Sequence, residues 1–259
     1  GRQLRIHIKI DPGMPRLGCL RGGDSFDEGV PNVIASCRLP GLLPEGIYTH
    51  FAGSDEPDAD SERYTHQQFD LFCRMIDAVA RRGGVTFAIR HCANTGAVVH
   101  YPEMALDMVR PGLLLYGYGD DTGRFGLRPC MRLVTTISTI KTYEPDTCVS
   151  YGRRFRTQRR TRMAVLGIGY ADGLFRTLSG KCSFAVAGHK APQCGSICMD
   201  MCMIDVTDIP DAAVGSQVEI FGPDNDITAL SDAAGTIPYE LLCAVSKRVP
   251  RVYPPQKRR

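Results

Sequence analysis

The chain has 259 residues, 43% hydrophobic and 23% charged, with a formal net charge of +3 at pH 7. That balance belongs to one large or two medium globular domains with a sizeable core. It excludes a membrane span, because no apolar run approaches the required length, and a charge this small does not by itself point to nucleic acid. The first residues lack the basic-then-apolar order of a signal peptide, so the expected location is cytoplasmic. Eleven cysteines, odd in number and scattered without a C-x-x-C pair, read as reduced and mostly buried thiols. Cys194, Cys198 and Cys202 are spaced four apart, a spacing that converges only on a helix. Gly195, Met199-Asp200 and the flanking Ile and Val read as strand and turn, so no metal site is expected there.

In chain order, Arg5 to Ile10 alternates polar and β-branched residues as a strand does, and Asp11-Pro12-Gly13 ends it. Lys9 and Arg16 then stand at a strand exit, where a β/α barrel places its chemistry. Ile47 to Ala52 reads as a second strand. An acidic loop follows, and Ser61 to Ala80 carries Phe69, Phe72, Met75, Ile76 and Val79 at helical spacing, with Asp60 or Ser61 as cap and Gly83-Gly84 as stop. Val85 to Ile89 reads as a third strand, leading into Arg90 to Gly96, a short helical stretch and the run Met108 to Gly117. Strand, polar loop and helix in repetition imply a parallel sheet.

From Met131 the pattern changes to short β-rich runs between Gly, Pro and Asp turns: Leu133 to Lys141, Arg162 to Ile168, Cys182 to Ala187, Met201 to Val206 and Gln217 to Phe221. These predict a separate, mostly antiparallel β-domain over 121–259, after an α/β portion over 1–120. A helical piece, Leu230 to Gly235, leads to a corner at Ile237-Pro238-Tyr239-Glu240. The basic stretch of Arg153, Arg154, Arg156, Arg159, Arg160 and Arg162 reads as a solvated hairpin, and without interleaved aromatics it offers no base-stacking surface.

His7-Ile8-Lys9-Ile10-Asp11-Pro12-Gly13-Met14-Pro15-Arg16-Leu17-Gly18 is similar to the H-x-K-[VI]-D-T-G-M-x-R-L-G signature of the alanine racemase family, and further segments share the resemblance in order along nearly the whole chain. Tyr48-Thr49-His50-Phe51-Ala52, His91-Cys92-Ala93-Asn94-Thr95, Met108-Val109-Arg110-Pro111-Gly112 and Val149-Ser150-Tyr151-Gly152 follow. Gly167 to Gly173, Ile197-Cys198-Met199-Asp200-Met201, Pro238-Tyr239-Glu240 and Arg248-Val249-Pro250-Arg251 complete the series. The resemblance implies the C-terminal half of a TIM-like α/β barrel followed by the β-domain.

It also implies a pyridoxal 5'-phosphate enzyme that interconverts L- and D-alanine for peptidoglycan synthesis. Thr95, Gly112, Leu113 and Tyr239 would line the phosphate, with Thr95 replacing the usual Ser. Arg110 would face the pyridine nitrogen, oriented by His50, with His91 also at the cofactor. Arg16 would hold the cofactor's phenolic oxygen and the substrate carboxylate, and Lys9 occupies the position that some members carbamylate. Tyr170 would be the base on one face of Cα and Met199 would offer its backbone N–H, both from the second subunit of a homodimer with shared sites. Tyr239 stands where the related serine racemases resemble an asparagine, which favours alanine over serine.

The family's K-A-[ND]-A-Y-G-H-G motif, which attaches the cofactor, does not occur around Lys9, Lys141, Lys181, Lys190, Lys247 or Lys257. About four of eight barrel strands are expected here, so the resemblance implies a further, lysine-bearing N-terminal segment. Other departures are Pro12 for Thr, Pro15, and Ser196 where an arginine often stands. The alternatives are a non-catalytic remnant that serves as a dimerisation or binding module, or a relative of the serine racemases. Isolated, His50, His91, Arg110, Tyr170 and Tyr239 each have an ordinary structural explanation, and only their joint order separates a racemase from the remnant.

Overall fold

The alternation at Arg5 to Ile10 produces the first strand, β1 (Leu4–Lys9), with Ile8 and Ile10 turned into the core. The computed structural model describes residues 2–19, 26–119 and 123–253. These fall into two compact units, Gly1–Arg128 and Pro129–Arg259.

In the first unit β1 pairs in parallel with β2 (Leu42–Tyr48), which pairs in parallel with β3 (Ile89–His91). Parallel strands need crossovers. The first is helix α1 (Phe26–Cys37) and the second α2 (Ala59–Gly83), with the short α3 (Thr95–His100) after β3. Helix α2 buries Thr65, Gln68, Phe72, Met75, Ala78 and Val79, a stripe at helical spacing. Its cap is Asp58 rather than Asp60 or Ser61: the Asp58 carboxylate accepts from the N–H groups of both, each at 3.0 Å. Gly84, at φ 64°, closes the other end. Phe51, Phe72, Met75, Ile47, Ile10, Val30, Val33 and Met104 share one core.

Several elements differ from the sequence expectation. The second strand runs 42–48 rather than 47–52, because β2 tolerates Pro44 and Gly46 at a register shift and Thr49 turns to other partners. The third runs 89–91 rather than 85–89; Val85 and Phe87 pack on the core as loop residues. Three parallel strands pair among the described residues, not four. The run after Arg110 closes instead into a 3-10 turn, Leu113–Tyr116, capped by Gly117 at φ 81°. Helix α1 has no clear sequence signal, since Gly29 and Pro31 weaken its propensity. Packing of Phe26, Val30, Val33 and Cys37 on one face holds it.

The second unit is a closed antiparallel barrel in which the strand 202–205 is followed in turn by 161–166, 133–143, 217–221, 183–186 and 189–194. Its strands are β4 (Leu133–Tyr143), β7 (Thr161–Leu166), β8 (Ser183–Val186), β9 (His189–Cys194), β10 (Cys202–Asp205) and β11 (Gln217–Phe221), with β5 (Cys148–Val149) and β6 (Phe155–Arg156) as a side hairpin. The strands of the predicted β-domain thus close on themselves, which removes exposed edges. Strand β9 was missed because His189, Lys190 and Pro192 hide its pattern; Ala187-Gly188, both at positive φ, turn it back on β8. Helix α4 (Ile227–Ala234) begins earlier than expected, and the Pro238 corner is itself a helix, α5 (Pro238–Ala244).

The cysteine triad spans the end of β9, the following turn and the start of β10, with burial pushing the Cys194 thiol up to about 12. In the basic stretch, Arg159 pairs with Asp208, Arg160 with Glu144, and Arg162 donates to the carbonyls of Ile209 and Ala212. No helix among the described residues is long and apolar enough to cross a membrane.

Candidate active site

At the C-terminal ends of the parallel strands, Arg110 is gripped from several sides. One terminal guanidinium nitrogen stands 2.5 Å from His91 Nδ1 at the end of β3. The other donates to the Thr49 carbonyl at 2.7 Å and to His50 Nδ1 at 3.2 Å, just past β2. The Arg110 backbone N–H bonds the Ala93 carbonyl at 2.9 Å, so main chain and side chain are both fixed. Tyr48 stacks on His91 at 5.0 Å and lies 5.4 Å beneath the guanidinium. An arginine has donors only, and its partners here are carbonyls and ring nitrogens.

Electrostatics agree with that geometry. Burial, then the charges of Arg110 and His7, pull the His91 pKa down to about 4. Burial also lowers His50, reinforced by Arg110, Arg16 and Lys9. Lys9, at the end of β1, is lowered by burial and then by Arg16, with Asp11 opposing. Three cations and two neutral imidazoles therefore share one electropositive strand-end cluster. Arg16 itself is exposed, on a loop shaped by Asp11, whose carboxylate accepts from Gly13 N–H at 3.1 Å and Met14 N–H at 2.7 Å. Pro12 and Pro15 are accommodated there because neither nitrogen is asked to donate.

His91 carries a pH consequence. A depressed pKa means that the unfolded chain takes up a proton first as the pH falls from 6.5, so the stability His91 contributes is present above that value and is lost on the way to about 4. Between pH 7.5 and 5 the wild-type chain is expected to lose about 2 kcal/mol more stability than His91→Gln, measured by urea denaturation. Equal losses would show that His91 titrates normally.

Thr95 opens α3, and its Oγ1 accepts the Gly112 N–H at 2.8 Å, bringing these two expected phosphate ligands together, with Leu113 next in chain and buried. The second unit joins Tyr170 to Met199: Tyr170 N–H bonds the Cys198 carbonyl and Ala171 N–H the Met199 carbonyl, each at 3.0 Å. Both side chains are exposed, 44% and 54%. Asp172 closes the Tyr170 turn by accepting Gly169 N–H at 2.9 Å, and Arg248 clamps Asp172 and Asp200 at 2.7 Å each. Tyr239 stands on α5, 41% exposed. Ser196 is buried and donates to the Tyr151 carbonyl at 2.9 Å.

A Cβ on Gly169 would lie 2.3 Å from the carbonyl oxygens of Cys198 and Met199. Gly169→Ala is therefore expected to part the Tyr170 and Met199 turns and cost about 2 kcal/mol or more, read from thermal melting. An unchanged melt would show the turns to be independent. Sequence reasoning missed three contributors: the Thr49 carbonyl, the Arg248 clamp and His7. A carbonyl leaves no trace in residue type. The other two sit inside quoted motifs, but their roles depend on who lies opposite.

Comparison with known proteins matches both units. The family model "Alanine racemase, N-terminal domain" covers residues 1–120, and "Alanine racemase, C-terminal domain" covers 130–253. The chain is 39% identical over 261 residues to an alanine racemase of Clostridium perfringens, covering 98% of this chain and 66% of that protein. It is 42% identical to alanine racemase 1 of Clostridium acetobutylicum, covering 96% and 65%. The crystal structure of alanine racemase from D-cycloserine producing Streptomyces lavendulae superposes with a TM-score of 0.87 at 34% identity, over 98% of this chain and 67% of that one. The chain thus spans about two thirds of the length of the curated relatives it matches.

Proposed function

The chain belongs to the alanine racemase family, and on that premise we propose that it forms part of a cytoplasmic, pyridoxal 5'-phosphate-dependent racemase that interconverts L- and D-alanine for cell-wall precursors. Residues 1–120 are then the C-terminal half of the α/β barrel, which a lysine-bearing segment completes, and 121–259 the β-domain.

The observation that carries this reading is the grip on Arg110. A pyridine nitrogen is a hydrogen-bond acceptor, and the strand-end cluster presents to it a cation that has only donors and cannot hand over a proton. The neutral hydroxyl of Thr95, drawn against the main chain at Gly112, suits a phosphate. These residues fit pyridoxal phosphate. When bound, it supplies an electron sink that acidifies the Cα–H of an amino acid.

This chain's residues divide the remaining work. Arg110, held by His91 and His50, would donate to the ring nitrogen without handing over a proton, which would restrain side reactions. Thr95, Gly112, Leu113 and Tyr239 are the residues that would hold the phosphate. Arg16 would bind the substrate carboxylate and the phenolic oxygen. Lys9 sits beside it with its amine shifted toward the neutral form, the state that reacts with carbon dioxide to give the carbamate. Tyr170 exchanges the Cα proton on one face. Its exposure, together with that of Met199, suits residues that reach the barrel of a second copy in a homodimer.

Incubating the full-length protein with pyridoxal phosphate and L-alanine is expected to yield D-alanine, with kcat/KM higher for alanine than for serine because the Tyr239 phenol crowds a hydroxymethyl group. Preference for serine would refute the substrate assignment. A folded protein that binds no cofactor and racemises neither would establish the non-catalytic remnant instead.

A further inference from the structure

His7 has no role in the proposed chemistry, yet the fold is adjusted around it. The register between β1 and β2 shifts at this residue: Ile6 faces Pro44, but His7 faces Gly46. An irregularity of this kind re-aims a side chain. Gly46 supplies the space, since a Cβ there would lie 2.6 Å from His7 Nδ1. The ring is thereby set with its Nδ1 2.7 Å from His91 Nε2, the ring centroids 5.0 Å apart.

Counting donors fixes the protons. Arg110 can only donate, so His91 Nδ1 carries a lone pair. A neutral His91 then has its proton on Nε2, and His7 Nδ1 accepts it. The His7 proton is left on Nε2, on the side of Glu45, whose Oε2 is 4.0 Å away and whose Oε1 takes Arg5 at 3.0 Å. Both hydrogen bonds, Arg110 to His91 and His91 to His7, point outward from Arg110, an order that strengthens each acceptor in turn.

We propose that His7 is a positioning residue for Arg110: by accepting the Nε2 proton of His91 it selects the one tautomer whose Nδ1 can receive the guanidinium. The catalytic consequence rests on the racemase reading above, whereas the tautomer itself rests only on the geometry.

The test uses the full-length protein and two variants. His7→Gln keeps an acceptor, its amide oxygen; His7→Leu has none. In cofactor-free protein, 15N NMR of the imidazoles is expected to show His91 protonated at Nε2 and bare at Nδ1, unchanged in His7→Gln and shifted toward the other tautomer in His7→Leu. With cofactor, His7→Leu is expected to lower kcat about tenfold with KM for alanine within about twofold, and His7→Gln to recover most of it. His91 protonated at Nδ1 in the wild type would overturn the proposal. So would an unchanged tautomer in His7→Leu, or equal losses in both variants, which is what mere packing gives. If the tautomers are as stated but the wild type does not racemise alanine, the positioning role stands and the functional reading falls.

Discussion

Tyr170→Phe is expected to remove about three orders of magnitude of racemase activity, the size of a general acid–base contribution, while pyridoxal phosphate remains bound. The phenol stands on a turn fixed by the backbone bonds to Cys198 and Met199 and by Asp172. Losing one oxygen therefore leaves the loop where it was. The defect belongs to one face of Cα, so exchange of the α-hydrogen with solvent deuterium should fail for one alanine enantiomer and survive for the other. Equal loss for both, or loss of the cofactor's absorbance, would mean that Tyr170 holds the site together rather than acting on substrate.

Arg110→Glu is expected to do more damage, in two ways. Thr49 and Cys92 carbonyls, His91 Nδ1 and His50 Nδ1 all present acceptors to the present guanidinium. A carboxylate placed among them is one more acceptor, and removing a donor from so buried a set costs about 3–5 kcal/mol. The surviving folded protein is expected to racemise about a thousandfold more slowly, because electrostatic stabilisation at the ring nitrogen is lost. A carboxylate beside the ring nitrogen would stabilise its protonated form, so transamination is expected to rise relative to racemisation. Melting curves and the ratio of pyruvate to D-alanine read the two effects separately. A variant with wild-type melting and wild-type product ratio would remove Arg110 from the chemistry.

What could be read from the chain and what could not follow from where the information lies. Strand β1, the apolar stripe of α2 and most of the barrel strands of the second unit are written in side-chain periodicity, and they formed near the expected residues. Strand β9 and helix α1 are not written there. Pro192 and Pro31 argue locally against each, and only neighbours such as β8 and the Phe72 core settle them. The sheet edges of β2 and β3 slipped because Thr49 and Val85 look like strand residues while their groups serve other contacts.

At the site, residue types and order brought His50, His91 and Arg110 to attention together, and they do meet. The reason they meet was not visible. It lies in a main-chain oxygen, in the shifted register at His7 and in the space left by Gly46, none of which has a sequence signature of its own. The Arg248 clamp on Asp172 and Asp200 is of the same kind, joining positions 48 and 76 residues apart.

Complementation between two inactive variants tests the central claim, that Arg110 of one copy and Tyr170 of another make one site. Full-length Tyr170→Phe and Arg110→Glu proteins are mixed, allowed to exchange subunits, and assayed for racemisation of L-alanine. A mixed dimer then carries both defects in one site and neither in the other, so random exchange of equal amounts restores about a quarter of wild-type activity. Exchange proven by mass spectrometry of the intact dimers with no recovery of activity would show that Tyr170 serves its own chain, and the shared site would be wrong.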